Sequence, residues 1–191
     1  MKKFLLIALL MVATFVSANA QTENSHLLFK GIPIDGEISS FVAKLQQKGY
    51  VVTDRSTPDK IMLTGKFSGK NVSVKVEAAQ TSHTAYCVHV FFPVCEKWVD
   101  LELFYKNLTS SYINKYGEPL DSKHEFLPPY DDPSSTLQMM AVEEGKCNYL
   151  STFRAEHGII MVEILNLKCV RAVYIDAMNF QLYEKEQQDD I

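Results

Sequence analysis

The amino-acid sequence predicts an α+β fold in which helices pack on one face of an antiparallel sheet. Three observations lead there. Residues 71–78 alternate strictly, with Val72, Val74 and Val76 set against Ser73, Lys75 and Glu77. That is the period of a strand with one face buried and one wet. Two other stretches repeat apolar residues at three and four positions, the period of a helix facing a core. Each of these stretches precedes a run of short strands joined by turn residues, an order that lays helices on an antiparallel sheet.

Residues 1–20 read as a secretory signal peptide. Lys2 and Lys3 supply its positive end, Phe4 to Val16 its apolar run, and Ala18-Asn19-Ala20 a small-residue cleavage site. The run is too short to span a bilayer. Gln21 follows the cut where a lipid attachment signal would need cysteine. The expectation is a soluble exported protein, periplasmic or secreted, and not a lipoprotein.

Residues 21–26 are polar, and His26 to Ile34 is a short apolar segment. Asp35 suits a helix N-cap. Ile38, Phe41, Val42 and Leu45 then fall on one helical face, and Gly49 suits the left-handed residue that ends a helix. Strands are expected over 50–54, 60–67, 71–78 and 84–92, with a turn at Ser68-Gly69-Lys70. A longer helix follows over 96–116. Its stripe is Trp98, Leu101, Tyr105, Leu108, Tyr112 and Tyr116, and Gly117 and Pro119 stop it. Four more strands are expected near 120–127, 135–143, 147–155 and 158–166, and 169–176 fits a further one. From Asn179 the chain turns charged and reads as a solvated tail. The organisation expected is therefore two tandem helix-plus-four-strand repeats. Residues 1–20 are the signal, 21–94 carry the first repeat, and 95–191 carry the second with the tail.

Composition narrows the function classes. The chain has 191 residues, 47% hydrophobic and 22% charged, as in ordinary globular proteins. Its formal charge is −4, and loss of Lys2 and Lys3 with the signal would make it −6. An acidic balance argues against nucleic acid and against an anionic membrane surface, both of which call for a basic face. No membrane insertion is expected once the signal is gone.

Four cysteines, Cys87, Cys95, Cys147 and Cys169, lie beyond the signal. An even number in an exported chain points to disulfides. Cys147 and Cys169 flank the expected hairpin that turns near Glu156-His157-Gly158, which favours pairing them. Cys87 and Cys95 are then the other pair, or free buried thiols.

The order of elements resembles the tandem α/β repeats of the β-lactamase inhibitor protein family. That resemblance implies a concave sheet presented to a partner and a disulfide closing part of a repeat, as Cys147–Cys169 would. No inhibitory motif carries over. In letters, Phe29-Lys30-Gly31-Ile32-Pro33-Ile34-Asp35-Gly36 leads into Phe41, Leu45 and Gly49. Trp98-x2-Leu101, Lys115-Tyr116-Gly117-Glu118-Pro119 and Tyr174-Ile175-Asp176-x2-Asn179 follow. Together these are similar to a group of small exported proteins of unassigned function from Gram-negative anaerobes.

Chemistry-bearing residues are scattered. None of the five histidines (His26, His83, His89, His124, His157) pairs at helical spacing or sits with cysteine at zinc spacing. Cys87 beside His89 suggests a thiol nucleophile, but the even cysteine count favours disulfides. Adjacent acids such as Asp131-Asp132 and Glu143-Glu144 would point to opposite faces of a strand. No catalytic, cofactor or metal site is read. The best recognition candidates are Tyr130, Asp131 and Asp132 in the proline-rich loop 127–135, where ordering costs little on binding, and Phe91, opposite Val90 on its strand. The function expected is a non-catalytic binding module that engages a protein or envelope component by its sheet face or hairpin loops. The alternatives are a hydrolase or ligand-modifying enzyme with an unrecognised site, or a structural subunit of an envelope assembly.

Overall fold

The computed structural model describes residues 25–130 and 135–189. The expected signal peptide, Asp131 and Asp132 lie outside the described residues. The chain begins with a short hairpin, β1 (Leu28–Phe29) and β2 (Ile32–Pro33), closed by Lys30 and Gly31 with φ of 55° and 76°. Two central residues at positive φ form the mirror-image turn whose twist matches a hairpin. Helix α1 (Ile38–Gln47) follows, then β3 (Val51–Thr57), β4 (Lys60–Phe67), β5 (Lys70–Ala78) and β6 (Ala85–Phe91). Helix α2 spans Trp98–Tyr116 and leads to β7 (Asp121–Phe126), α3 (Ser135–Glu143), β8 (Cys147–Ala155), β9 (Gly158–Leu165), β10 (Cys169–Asp176) and α4 (Ala177–Asp189).

The eight longer strands make one antiparallel sheet in the order β3-β4-β5-β6-β10-β9-β8-β7. Residues on either side of position 95 thus share one sheet, joined where β6 pairs with β10. One face is apolar, with Val74, Val76, Val88, Val90, Ile160, Val162 and Ala172 all fully buried. Onto it α1 packs Ile38, Phe41, Val42 and Leu45, as the helical spacing predicts. Helix α2 buries Trp98, Leu101, Tyr105, Leu108 and Tyr112 there as well, against β8, β9 and β10. Gly49 and Gly117, with φ of 88° and 84°, end these helices as expected. Asp35 caps nothing, because the helix starts after Glu37.

Two elements differ from expectation. Residues 135–143 form a helix instead of a strand. The stretch is rich in Leu, Gln, Met and Ala, which favour helix. It buries the adjacent pair Ala141 and Val142, and β7 pairs directly with β8 without it. The charged tail expected from Asn179 is also a helix. Its Phe180 and Tyr183, three apart, pack on Tyr86, Cys87 and Val173. These residues lie on the sheet face away from α1 and α2, so the helices occupy both faces and not one.

The cysteines depart too: all four are free thiols. The chain turns again after β9, so Cys169 opens a third strand rather than closing the hairpin. Leu165 pairs with Cys169, and β8 flanks the other side of β9. Cys147 and Cys169 are therefore two strands apart, roughly 10 Å, beyond disulfide reach. Cys87 lies inside β6 beside His89, with Sγ 3.4 Å from Nε2, and is not paired with Cys95. Cys95 instead hydrogen-bonds through its backbone N–H to the Lys168 carbonyl, at the start of β10.

Candidate functional site

On the face away from α1 and α2, alternate residues of three neighbouring strands form a polar and aromatic strip. β5 contributes Ser73, Lys75 and Glu77, β6 contributes Cys87, His89 and Phe91, and β10 contributes Arg171 and Val173. The register places Glu77 opposite Cys87, Lys75 opposite His89, and Phe91 between Ser73 and Arg171. The register shifts between Glu77 and Ala78 because Ala78 pairs with Ala85, which leaves Tyr86 as the extra residue of a β-bulge. A bulge re-aims a side chain, and Tyr86 joins Cys87 on this face beneath α4. Its ring stacks on Tyr183 with centroids 4.4 Å apart.

Glu77 is the centre of the cluster. Its Oε1 takes Lys75 Nζ at 2.7 Å. Its Oε2 lies 3.2 Å from His89 Nε2 and accepts the Tyr86 hydroxyl at 3.3 Å. The same His89 nitrogen is the one beside the Cys87 thiol. The ring's other nitrogen, Nδ1, is buried and has no hydrogen-bond partner among the described residues, and the ring stacks on Phe91 at 6.2 Å. Arg171 extends the strip: Nε and Nη2 donate to Glu163 Oε1 at 3.0 and 2.6 Å, and the guanidinium lies 5.9 Å from the Phe91 ring centre.

These contacts set the ionisation of the cluster. The His89 hydrogen bond, opposed by burial and helped by Lys75, lowers the Glu77 carboxyl from 4.5 to about 2. Burial, then the Glu77 charge, raises the Cys87 thiol to about 12, with Lys75 and Arg171 opposing. Burial and Glu77 push the Tyr86 phenol far above its ordinary value. A carboxyl with a folded pKa below its unfolded one stabilises the fold above the unfolded value and loses that contribution as pH falls. In metal-free protein, Glu77 is therefore expected to contribute about 3 kcal/mol that disappears between about pH 5 and about pH 2. Urea unfolding of wild type and Glu77→Gln across that range checks this, because the variant should show the shallower pH dependence.

The arrangement is not a nucleophile relay. A thiol–imidazole–carboxylate relay needs the thiol on one ring nitrogen and the carboxylate on the other. Here both converge on Nε2, and burial keeps Cys87 protonated.

Of the residues singled out from the sequence, Phe91 lies on this face, partly exposed, beside an open cleft of about 690 Å³ also lined by Lys48, Thr64, Asn71 and Ser73. Tyr130 does not join it. Its backbone N–H bonds the Leu127 carbonyl, and its hydroxyl faces Glu144, which raises the phenol. The neighbouring strand β7 is four strands from β6, roughly 19 Å. The Glu77–Cys87–His89 grouping was not read from the sequence. Its one local signal is Cys-x-His, which puts both side chains on one face of a strand, and its third member arrives only through cross-strand register.

Among the described residues, no helix is long and apolar enough to cross a membrane. Comparison with protein-family models, with curated proteins and with solved structures gave no match.

Proposed function

We propose that this chain is an exported, non-catalytic binding module that engages a protein or envelope component by the part of its sheet face beside α4 that carries Phe91 and Arg171. The observation that carries the reading is Phe91, held between the His89 ring and the Arg171 guanidinium and bordering the 690 Å³ cleft. Aromatic and arginine side chains in half-sheltered positions are the residue types that dominate binding energy at interfaces. They stand on strands, which fix them in place before a partner arrives.

The tandem-repeat reading is part of the same proposal. Its support is the mirrored strand order, β3 to β6 running inward from one edge and β7 to β10 from the other. That order suits the sheet-presenting architecture implied by the β-lactamase inhibitor resemblance, and the signal-like residues 1–20 support export. The 127–130 loop with Tyr130 is a secondary contact candidate, at a distance from the strip.

The test is a quantitative pull-down with the protein against envelope and secreted fractions of its source, repeated with Phe91→Ala and Arg171→Ala. One partner bound saturably, and at least about tenfold more weakly by either variant, is the expected result. A partner bound equally by both variants removes the sheet face from the reading. No saturable partner in any fraction overturns it.

A further inference from the structure

We propose that Glu77, Cys87 and His89 form a three-ligand site for a divalent transition metal with the chemistry of zinc. The inference goes beyond the binding-module reading and does not rest on it. The ligand atoms of the three residues all lie within 4.8 Å of one another. Around one zinc ion, typical bond lengths at tetrahedral angles put sulfur and nitrogen ligands about 3.5 Å apart, and nitrogen and oxygen about 3.3 Å apart. The observed Cys87 Sγ to His89 Nε2 separation is 3.4 Å, and His89 Nε2 to Glu77 Oε2 is 3.2 Å. Two edges of a coordination tetrahedron are thus already at their expected lengths, and the third, from sulfur to carboxylate oxygen, is within 4.8 Å.

Charge and bonding favour a cation at the same point. His89 Nε2 offers either one proton or one lone pair, yet it faces both a carboxylate and a thiol. A metal ion accepts from all three at once. The nitrogen then gives its lone pair to the metal and Nδ1 carries the ring proton. Lys75 on Oε1 and the Tyr86 hydroxyl on Oε2 hold the carboxylate in place, as outer contacts do at metal sites. Mixed sulfur, nitrogen and oxygen donors suit zinc or cobalt, whereas magnesium and calcium take oxygen ligands. The Glu77 and His89 side chains are 16% and 12% exposed, so the site is sheltered but not sealed.

Binding must convert the Cys87 thiol to thiolate. The S–H bond breaks, its proton leaves to solvent, and the sulfur lone pair bonds the metal, with no change of oxidation state.

The experiment uses the full chain, stripped with a chelator. Zinc is titrated in competition with a chromophoric chelator, proton release is followed, and cobalt(II) is used as the spectroscopic probe. The expected result is one zinc per chain, about one proton released for each zinc, and a cobalt spectrum with a thiolate charge-transfer band. Cys87→Ser should abolish that band, and Cys87→Ser and His89→Gln should each weaken zinc binding at least about tenfold. A variant with Cys95, Cys147 and Cys169 all changed to serine should keep the band. No stoichiometric zinc uptake by the wild type, or uptake without proton release and thiolate band, overturns the proposal without need of any variant. Unchanged binding by Cys87→Ser and His89→Gln overturns it equally. Neither negative outcome touches the pull-down result at Phe91 and Arg171.

Discussion

Asp176→Ala is expected to lose about 4 kcal/mol of stability and to lift α4 from the sheet. The Asp176 side chain is fully buried at the junction of three segments. Its Oδ2 accepts the Leu27 backbone N–H at 2.7 Å, fixing the start of the described chain. Its Oδ1 accepts the Asn179 N–H at 2.9 Å, which caps α4, and lies 3.2 Å from His26 Nδ1. Removing such a cap costs about 1 kcal/mol, and a buried N–H left without an acceptor costs about 1–3 kcal/mol, more where the lost partner is charged. Asn179 shares the load: its Nδ2 donates to the Ile34 and Ala85 carbonyls at 2.9 and 3.0 Å. Urea unfolding measures the stability loss. The lifting of α4 is read separately from Cys87, which is only 3% exposed and packs beside Phe180 and Tyr183. A thiol reagent under native conditions should modify Cys87 faster in the variant. Asp176→Asn retains one acceptor oxygen and should fall between wild type and Asp176→Ala. An alanine variant as stable as wild type, with Cys87 equally protected, would show that α4 is held by its aromatic contacts alone.

Asp176 and Asn179 also show how much of this molecule could be read from its sequence. The pattern Tyr174-Ile175-Asp176-x2-Asn179 stood out as letters, but its role as a strand-to-helix junction depends on Leu27, Ile34 and Ala85, far away in the chain. The sheet was legible because Val72, Val74 and Val76 alternate with polar partners, and α1 and α2 because their apolar stripes keep one period over two turns or more. Helix α3 was not, since Ala141 and Val142 are neighbours and set no period. Helix α4 hides a two-residue apolar contact, Phe180 and Tyr183, among charges. The Cys147–Cys169 pairing failed on one detail of register: the reversal at residues 166–168 inserts β9 between them. The same kind of information assembles the candidate site. Glu77 meets Cys87 and His89 only because β5 and β6 pair in one register, and the bulge at Tyr86 adds a phenol that strict alternation would have sent to the other face.

Phe29→Ala is expected to destabilise the fold by about 4 kcal/mol, the usual range for emptying a fully buried phenylalanine site. Phe29 is 0% exposed although its strand has only two residues. Its ring stacks on Phe67 at 5.6 Å and meets Tyr174 at 5.2 Å and Tyr50 at 6.3 Å. From there the contacts run through Phe92 to Phe104 of α2, and through Tyr174 to Tyr112 of the same helix. The hairpin thus plugs a seam shared by β4, β10 and α2, elements from both sides of position 95. Leu28, the neighbouring residue, is 45% exposed, and Leu28→Ala should change stability by no more than about 0.5 kcal/mol. The contrast within one two-residue strand separates packing from any effect on the turn. Because the seam joins both halves, Phe29→Ala should lower the unfolding midpoint while leaving one transition, the same by near-ultraviolet and far-ultraviolet dichroism. Two separated transitions would mean that the segments on either side of position 95 hold separate cores, and that the pairing of β6 with β10 joins them more weakly than the shared aromatic seam implies.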